Sequence, residues 1–403
     1  MKRLVFFPIL LLLSCGPAME REQDLSRLSW PEIEQLAQGS TVQMMMWQGD
    51  PLINAYMQEY VAKELKERYG IELRIAGGQG NIIVQNLMAE LQAGKQSSAL
   101  DLLWINGETF YQLRQIDALH GPWMDSLPNA AFIDWENPFI ALDFQQPVEG
   151  FECPWGNVQM AIIYNSTEMP TPPRNRAELA AFVKAHPGRF TFDVHFTGLT
   201  FLKILLMDIA GGAEELAGPF NEEKYALHSA ALWEYLRNIK PFLWKEGKTF
   251  PEAVAPMHQL FANGETWFTM SNNDSEVDNK IAQGVFPATA RAYVWEPGTI
   301  QNTHYLGIPR LSANKAGAMV AANFLISPEA QLRKQDPGVW GDGTVLDIQR
   351  LPEEWRQRFQ VLPPRQYAPS RAEMQERALP ELAPEYMIRL AKDFREKIIE
   401  NRE

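Results

Sequence analysis

The sequence predicts an α/β protein of two lobes, each a sheet flanked by helices. Three observations carry this expectation. From Val42 onward, apolar runs of strand length alternate with amphipathic helical stretches, the rhythm of parallel strands joined by covering helices. A chain of 403 residues is long enough for two domains of ordinary size, each with its own core. Polar residues gather where the apolar runs stop, which is where sheets of this class hold their ligands.

The N-terminus stands outside that rhythm. Lys2 and Arg3 precede an apolar run from Leu4 to Leu13, followed by Ser14, Cys15 and Gly16. About ten residues at ~1.5 Å each fall far short of a hydrocarbon core roughly 30 Å thick, so residues 1–14 read as a signal peptide. Residues 15–38 are polar and irregular apart from a helical patch near Trp30, and read as a tether.

The first lobe then begins. Val42 to Trp47 is a strand, followed by Gln48, Gly49 and Asp50; Asp50 is placed to cap a helix with Pro51 at its first position. Ile71 to Ala76 is the second strand, and the turn Gly77-Gly78-Gln79-Gly80 opens a helix at Asn81. Leu100 to Ile105 is the third, ending in Asn106-Gly107-Glu108. Residues 120–157 are irregular and rich in Pro and Trp.

A strand at Val158–Tyr164 leads through Asn165, Ser166 and a proline-rich turn into the second region. There the pattern predicts helices at 176–185, 198–210, 225–243 and 251–262, with strands at 190–193 and 266–270. Ser271-Asn272-Asn273-Asp274 follows the last strand. Residues 292–335 come next in three pieces: an aromatic, glycine-containing segment from Tyr293 to Thr299, a short strand Tyr305–Ile308 stopped by Pro309, and a helix from Asn314. Ala318, Ala321, Ala322 and Leu325 share one face of that helix. Residues 341–403 are charged and helical.

Composition excludes several function classes. Formal charge is −13, and loss of Lys2 and Arg3 would make it two units more negative, which argues against nucleic acid as a partner. There is no Gly-x-Ser-x-Gly elbow and no His-Glu-x-x-His pair. Gly94-Lys95 lacks the glycines of a phosphate loop, and residues 77–80 lack the third glycine of a dinucleotide fingerprint. The six His are dispersed, so no metal pair is expected, and nothing calls for a cofactor. With Cys15 set aside, only Cys153 remains, and no internal disulfide is possible.

The candidate ligand residues are those at strand ends, each with an ordinary structural explanation beside it. Gly49 and Asp50 end the first strand, and Asp50 is equally a helix cap. Gln79 and Asn81 sit where a helix N-terminus favours an anion, or form a glycine turn with an Asn cap. Asn106 and Glu108 end the third strand, where Glu108 also suits the first turn of its helix. Asn272, Asn273 and Asp274 suit ligand hydrogen bonding or capping. Trp47, Trp155 and Trp295 stand at strand ends or crossings, placed to stack on a ligand or to pack a hinge. Glu296 and Thr299 flank Trp295.

Two stretches carry a family resemblance. The order of residues 292–335, and the strand, Tyr-Asn, proline turn and Ala-Glu-Leu helix around 158–180, resemble the extracellular solute-binding proteins of bacterial ABC importers. The likeness spans residues 40–335. Three segments, WINGE (104–108), GPWMDSLPN (121–129) and GTIQNTHYLGIP (298–309), are similar to the YnjB-type lipoproteins within that group. Leu12-Leu13-Ser14-Cys15 resembles a lipobox, with Cys15 the lipidated residue.

The resemblance implies the type II periplasmic-binding fold, with two hinge crossings. It divides the chain into a discontinuous first lobe (39–157 with 305–340) and a second lobe (158–304). It also implies capture of a small solute between the lobes for delivery to an ABC permease and its ATPase, without catalysis and with the membrane reached only through lipid. The acidic and Trp-rich strand ends suit a cationic organic compound, such as a thiamine-like molecule or a polyamine, or a sugar. Ferric iron fits less well, since no adjacent tyrosine pair is present. Two alternatives are a periplasmic hydrolase or transferase using Glu108 or Asp274 in the same cleft, and a chaperone-like lipoprotein without a small ligand.

Overall fold

The computed structural model describes residues 24–401. The signal peptide and Cys15 lie outside the described residues. Among those residues no helix is long and apolar enough to cross a membrane.

The larger sheet is built from β1 (Thr41–Met46), β2 (Glu72–Gly77) and β3 (Leu102–Ile105), which pair in parallel with β1 in the middle. A short hairpin follows, β4 (Leu142–Asp143) with β5 (Gln146–Pro147). Next come β6 (Glu152–Gln159) and β7 (Ala161–Asn165), then β8 (Phe268–Ser271), β9 (Ala290–Tyr293), β10 (Thr299–Gly307) and the two-residue β11 (Ala378–Leu379). The sheet runs β2-β1-β3-β10 with β6 on the far side of β10; β10 is antiparallel to β3 and β6, and β11 pairs in parallel with its first residues. The expected parallel sheet is therefore mixed. Its first three strands are joined by helices, whereas β10 returns from the other lobe and enters from the opposite end. The smaller sheet, β8-β7-β9, is antiparallel throughout.

The stretch expected as one strand at 158–164 is two. β6 and β7 are separated only by Met160 and belong to different sheets, so the chain passes between lobes at that residue. The amide of Met160 donates to the Ile300 carbonyl, 2.9 Å away, which holds the crossing against β10. The return passage runs through Val294–Gly298, between β9 and β10. The strand expected at 190–193 is an extended segment instead. Phe190 and Phe192 are buried, but the segment is tied down by isolated hydrogen bonds, such as Trp244 to Phe190, and not by a ladder.

Several local expectations hold for stated physical reasons. Asp50 accepts hydrogen bonds from the Leu52 and Ile53 amides, and Pro51 opens the helix. Asn314 accepts from the Gly317 amide, and Ala318, Ala321, Ala322 and Leu325 of helix Lys315–Leu325 are fully buried. That helix packs on another, Trp30–Ala37, whose Ile33 and Ala37 are also fully buried. The tether expected to reach residue 38 therefore stops short of Trp30, because burying Ile33 and Ala37 ties this helix to the first-lobe core.

Residues 340–398 serve both lobes. Trp340, Val345 and Leu346 join the core beside the larger sheet. Helix Pro384–Phe394 places Tyr386, Leu390 and Phe394 in the core beside the smaller one.

Candidate functional site

A cleft of about 350 Å³ opens between the lobes. The larger sheet contributes Trp47, Gly49 and Asp50 after β1, Gln79 and Gly80 after β2, Trp104 and Asn106 at the end of β3, and Asn302 and His304 from β10. The facing wall holds Asp193, His195, Phe196 and Thr197 at the start of helix Phe196–Ala210. Ser271, Asn272 and Asn273 follow β8, and Glu276 and Lys280 come from helix Glu276–Ala282. Trp340 and Asp342 complete the lining.

Two buried ion clusters shape the walls. Lys280 reaches across from the second lobe and donates to Asp50 at 2.6 Å, while its other neighbour is Glu276 at 3.2 Å. Burial disfavours the Lys280 ammonium, but Glu276 and Asp50 outweigh it and raise its pKa. His258 lies 3.5 Å from Glu276 and 2.8 Å from the Thr269 hydroxyl. Burial, helped by the Lys280 charge, pushes His258 down to about 3, so it is neutral. In the second cluster Asp342 pairs with Lys334 and lies 3.0 Å from His304. Burial works against that carboxylate, yet His304 and Lys334 together hold it below the usual range. Gly156 is required beside this pair: a side chain there would begin 2.0 Å from the His304 ring and 2.1 Å from Asp342.

An aromatic wall backs the second cluster. His304 stacks on Trp340 at 5.8 Å with 14° between planes, and Trp104 lies 4.9 Å from His304. Across the cleft mouth, Trp47 lies over Gly49 so closely that a side chain at Gly49 would begin 2.3 Å from the indole. The cleft is held on one edge by two contacts of helix Glu276–Ala282 and the residue before it with the C-terminal segment: Asn279 donates to the Trp340 carbonyl at 2.6 Å and Ser275 to the Gly341 carbonyl at 2.9 Å.

The structure brings together seven of the residues named from sequence. Trp47, Gly49, Asp50, Gln79, Asn106, Asn272 and Asn273 all line the cleft. The others lie elsewhere. Asn81 is exposed at the first turn of its helix and does not cap it, since Gly80 holds the cap position with φ +50°. Glu108 turns beneath the Gly80 loop, one oxygen shielded and without a hydrogen-bond partner, and burial raises its pKa. Trp155 is fully buried behind Trp104, with centroids 5.1 Å apart. Asp274 is held by Arg365 at 3.0 Å and by both nitrogens of Arg371 at 3.1 and 3.0 Å. Trp295 packs on Phe201 in the second-lobe core, Glu296 is exposed, and Thr299 is buried in β10, accepting from Gln159 at 3.1 Å. The segment 295–299 therefore forms the return crossing without lining the cleft.

Sequence reasoning missed Trp104, Asp193, Glu276, Lys280, His304, Trp340 and Asp342. Asp193 ended a predicted strand and Trp104 stood one residue before the end of another, so the strand-end rule reached both. The remaining five come from segments whose approach depends on tertiary packing. Among the described residues no group of three or more His, Cys, Asp or Glu side chains is arranged to hold a metal ion.

Two lobes, two crossings and a cleft at the carboxyl ends of the larger sheet's parallel strands define a type II periplasmic-binding protein. The comparisons agree. Residues 60–355 match the model of the bacterial extracellular solute-binding protein family, and the chain belongs to that family. It is 38% identical over 348 residues to Protein YnjB of Escherichia coli (strain K12), covering 85% of this chain and 89% of that one. Among solved structures, the periplasmic binding protein AfuA from Actinobacillus pleuropneumoniae superposes with a TM-score of 0.64 at 12% identity, covering 89% and 98% of the two chains. A putative spermidine/putrescine ABC transporter protein from Listeria monocytogenes gives 0.62 at 15%, covering 88% and 98%. The chain is the solute-binding component of an ABC transporter.

Proposed function

We propose that the cleft takes a compact organic cation. One observation carries this reading: four carboxylates line the cleft, Asp50, Asp193, Glu276 and Asp342, against the single lysine Lys280. Lys334 stands behind Asp342, and His258 is neutral. Trp47, Trp104 and Trp340 add aromatic faces, each worth about 0.5–2 kcal/mol to a cation placed over it. A volume of about 350 Å³ falls in the range of small-molecule sites. The Listeria protein, named for spermidine and putrescine, has the same fold, which is consistent with such a ligand.

Closure about Met160 and residues 294–298 would bury the ligand, its affinity for the closed form shifting the population toward it. In this reading the first lobe is 39–157 with 305–340 and the second is 158–304. Lipid on Cys15 holds the protein to the outer face of a bacterial membrane, beside the permease and ATPase it supplies.

Native mass spectrometry of gently purified protein, followed by thermal unfolding with putrescine, spermidine, thiamine, glucose and maltose, tests the ligand class. A cation present at 100 times its dissociation constant should add about 2.7 kcal/mol of stability. Stabilisation by a sugar and by none of the cations would refute the cationic reading. For the anchor, Cys15→Ser should move the protein from the membrane fraction to the soluble one, and an unchanged distribution would exclude lipid at this residue.

A further inference from the structure

Asp193 differs from the other three carboxylates of the cleft. Asp50 and Glu276 share Lys280, and Asp342 is paired with Lys334 and His304. Among the described residues no basic side chain forms an ion pair with Asp193. Its residue is 1% exposed. One carboxylate oxygen accepts the His195 amide at 2.8 Å, while the other is shielded and has no hydrogen-bond partner.

The position is rigidly built. Helix Phe196–Ala210 starts directly against it, and a side chain at Gly198 would begin 1.7 Å from the Asp193 carbonyl oxygen. The next residue, Val194, is anchored by its amide to the Pro251 carbonyl at 3.0 Å. Asp193 lines the same cleft as Trp47, Trp104 and Trp340 of the facing wall. A buried carboxylate oxygen without a partner is costly to keep, and folded proteins fill such valences wherever their own groups can. Here the chain supplies backbone amides at His195 and Gly198 but no lysine or arginine.

We propose that Asp193 is the residue of the second lobe that selects the ligand, its carboxylate, which has no lysine or arginine partner, accepting an N–H of the ligand's ammonium or amidinium group. The inference rests on the cationic reading of the cleft and adds to it a contact point and a direction. The charged end of the ligand faces the start of helix Phe196–Ala210, and its body faces the tryptophans of the first lobe. A helix-capping role alone would be served equally by asparagine, whose side-chain oxygen accepts the same amide.

Isothermal titration of the full chain, as wild type, Asp193→Asn and Asp193→Ser, with putrescine, spermidine, thiamine and glucose separates these roles. For whichever cation the wild type binds, both variants should lose about 30-fold or more in affinity, the scale of removing one partner of a buried charged contact. The ligand-free Asp193→Asn protein should melt at a higher temperature than wild type, since the uncompensated charge is gone. Wild-type affinity in both variants would overturn the assignment to Asp193 while leaving the cationic reading intact. Binding of glucose and of no cation by the wild type would overturn both.

Discussion

Asp274 and Asp193 are both buried acids near the ends of extended segments in the second lobe, yet the chain treats them in opposite ways. Asp274 meets Arg365 and both nitrogens of Arg371, and its residue is 3% exposed. Every valence is filled from within. Asp193 is met by backbone amides, the His195 amide at 2.8 Å among them, and by no lysine or arginine. The first therefore holds the C-terminal segment to the second lobe, and the second is the residue proposed above to meet a solute. An acid at a strand end becomes a ligand contact only when the fold has left part of it unanswered.

The largest expected effect falls on the structural member of the pair. Asp274→Ala leaves Arg365 buried and Arg371 half-buried without their counter-charge, which should cost about 3 kcal/mol in urea unfolding. Solute affinity of the folded variant should change less than about twofold, well under 1 kcal/mol. A large loss of affinity without loss of stability would reverse the roles given to the two residues.

Next is the pH dependence of the other member. Burial raises the Asp193 carboxyl to about 6, the two backbone amides at His195 and Gly198 and the charge of His195 acting in the opposite direction. An unfolded aspartate titrates near 3.9. The folded ligand-free protein thus holds this proton more tightly, and stability associated with it is present below about pH 4 and lost as pH rises through about 6. Asp193→Asn should match wild type near pH 4 and exceed it by about 3 kcal/mol above pH 7. A constant difference across that range would show that Asp193 does not titrate in this window. The smallest effect belongs to Trp47→Ala, where losing one aromatic face should cost a cationic solute about 1 kcal/mol, or roughly fivefold in affinity. Unchanged tryptophan-quenching titrations would remove Trp47 from the contact surface.

Much of the fold was legible because its signals are local. Strand and helix alternation, the Asp50 and Asn314 caps, and the small-residue face of helix Lys315–Leu325 depend on spacing within a few residues. The cleft was half legible. Residues following β1, β2, β3 and β8 could be placed because a strand end locates them. Trp104 and Trp155 were not told apart, since which tryptophan faces the cleft depends on strand pairing across β10. That pairing shifts register between His304 and Tyr305, so no count along one strand gives the face. Lys280, Trp340 and Asp342 arrive from segments far from one another in sequence, and only packing shows that they meet.

The last helix also bears on when the protein can fold. The second-lobe core contains Met160 and Phe201 together with Leu390, Phe394 and Ile398. Contacts so distant in sequence close slowly, and this set cannot close until residues 384–398 are present. A chain without helix Pro384–Phe394 would thus leave the second-lobe core unclosed, with part of the apolar surface of helix Phe196–Ala210 uncovered.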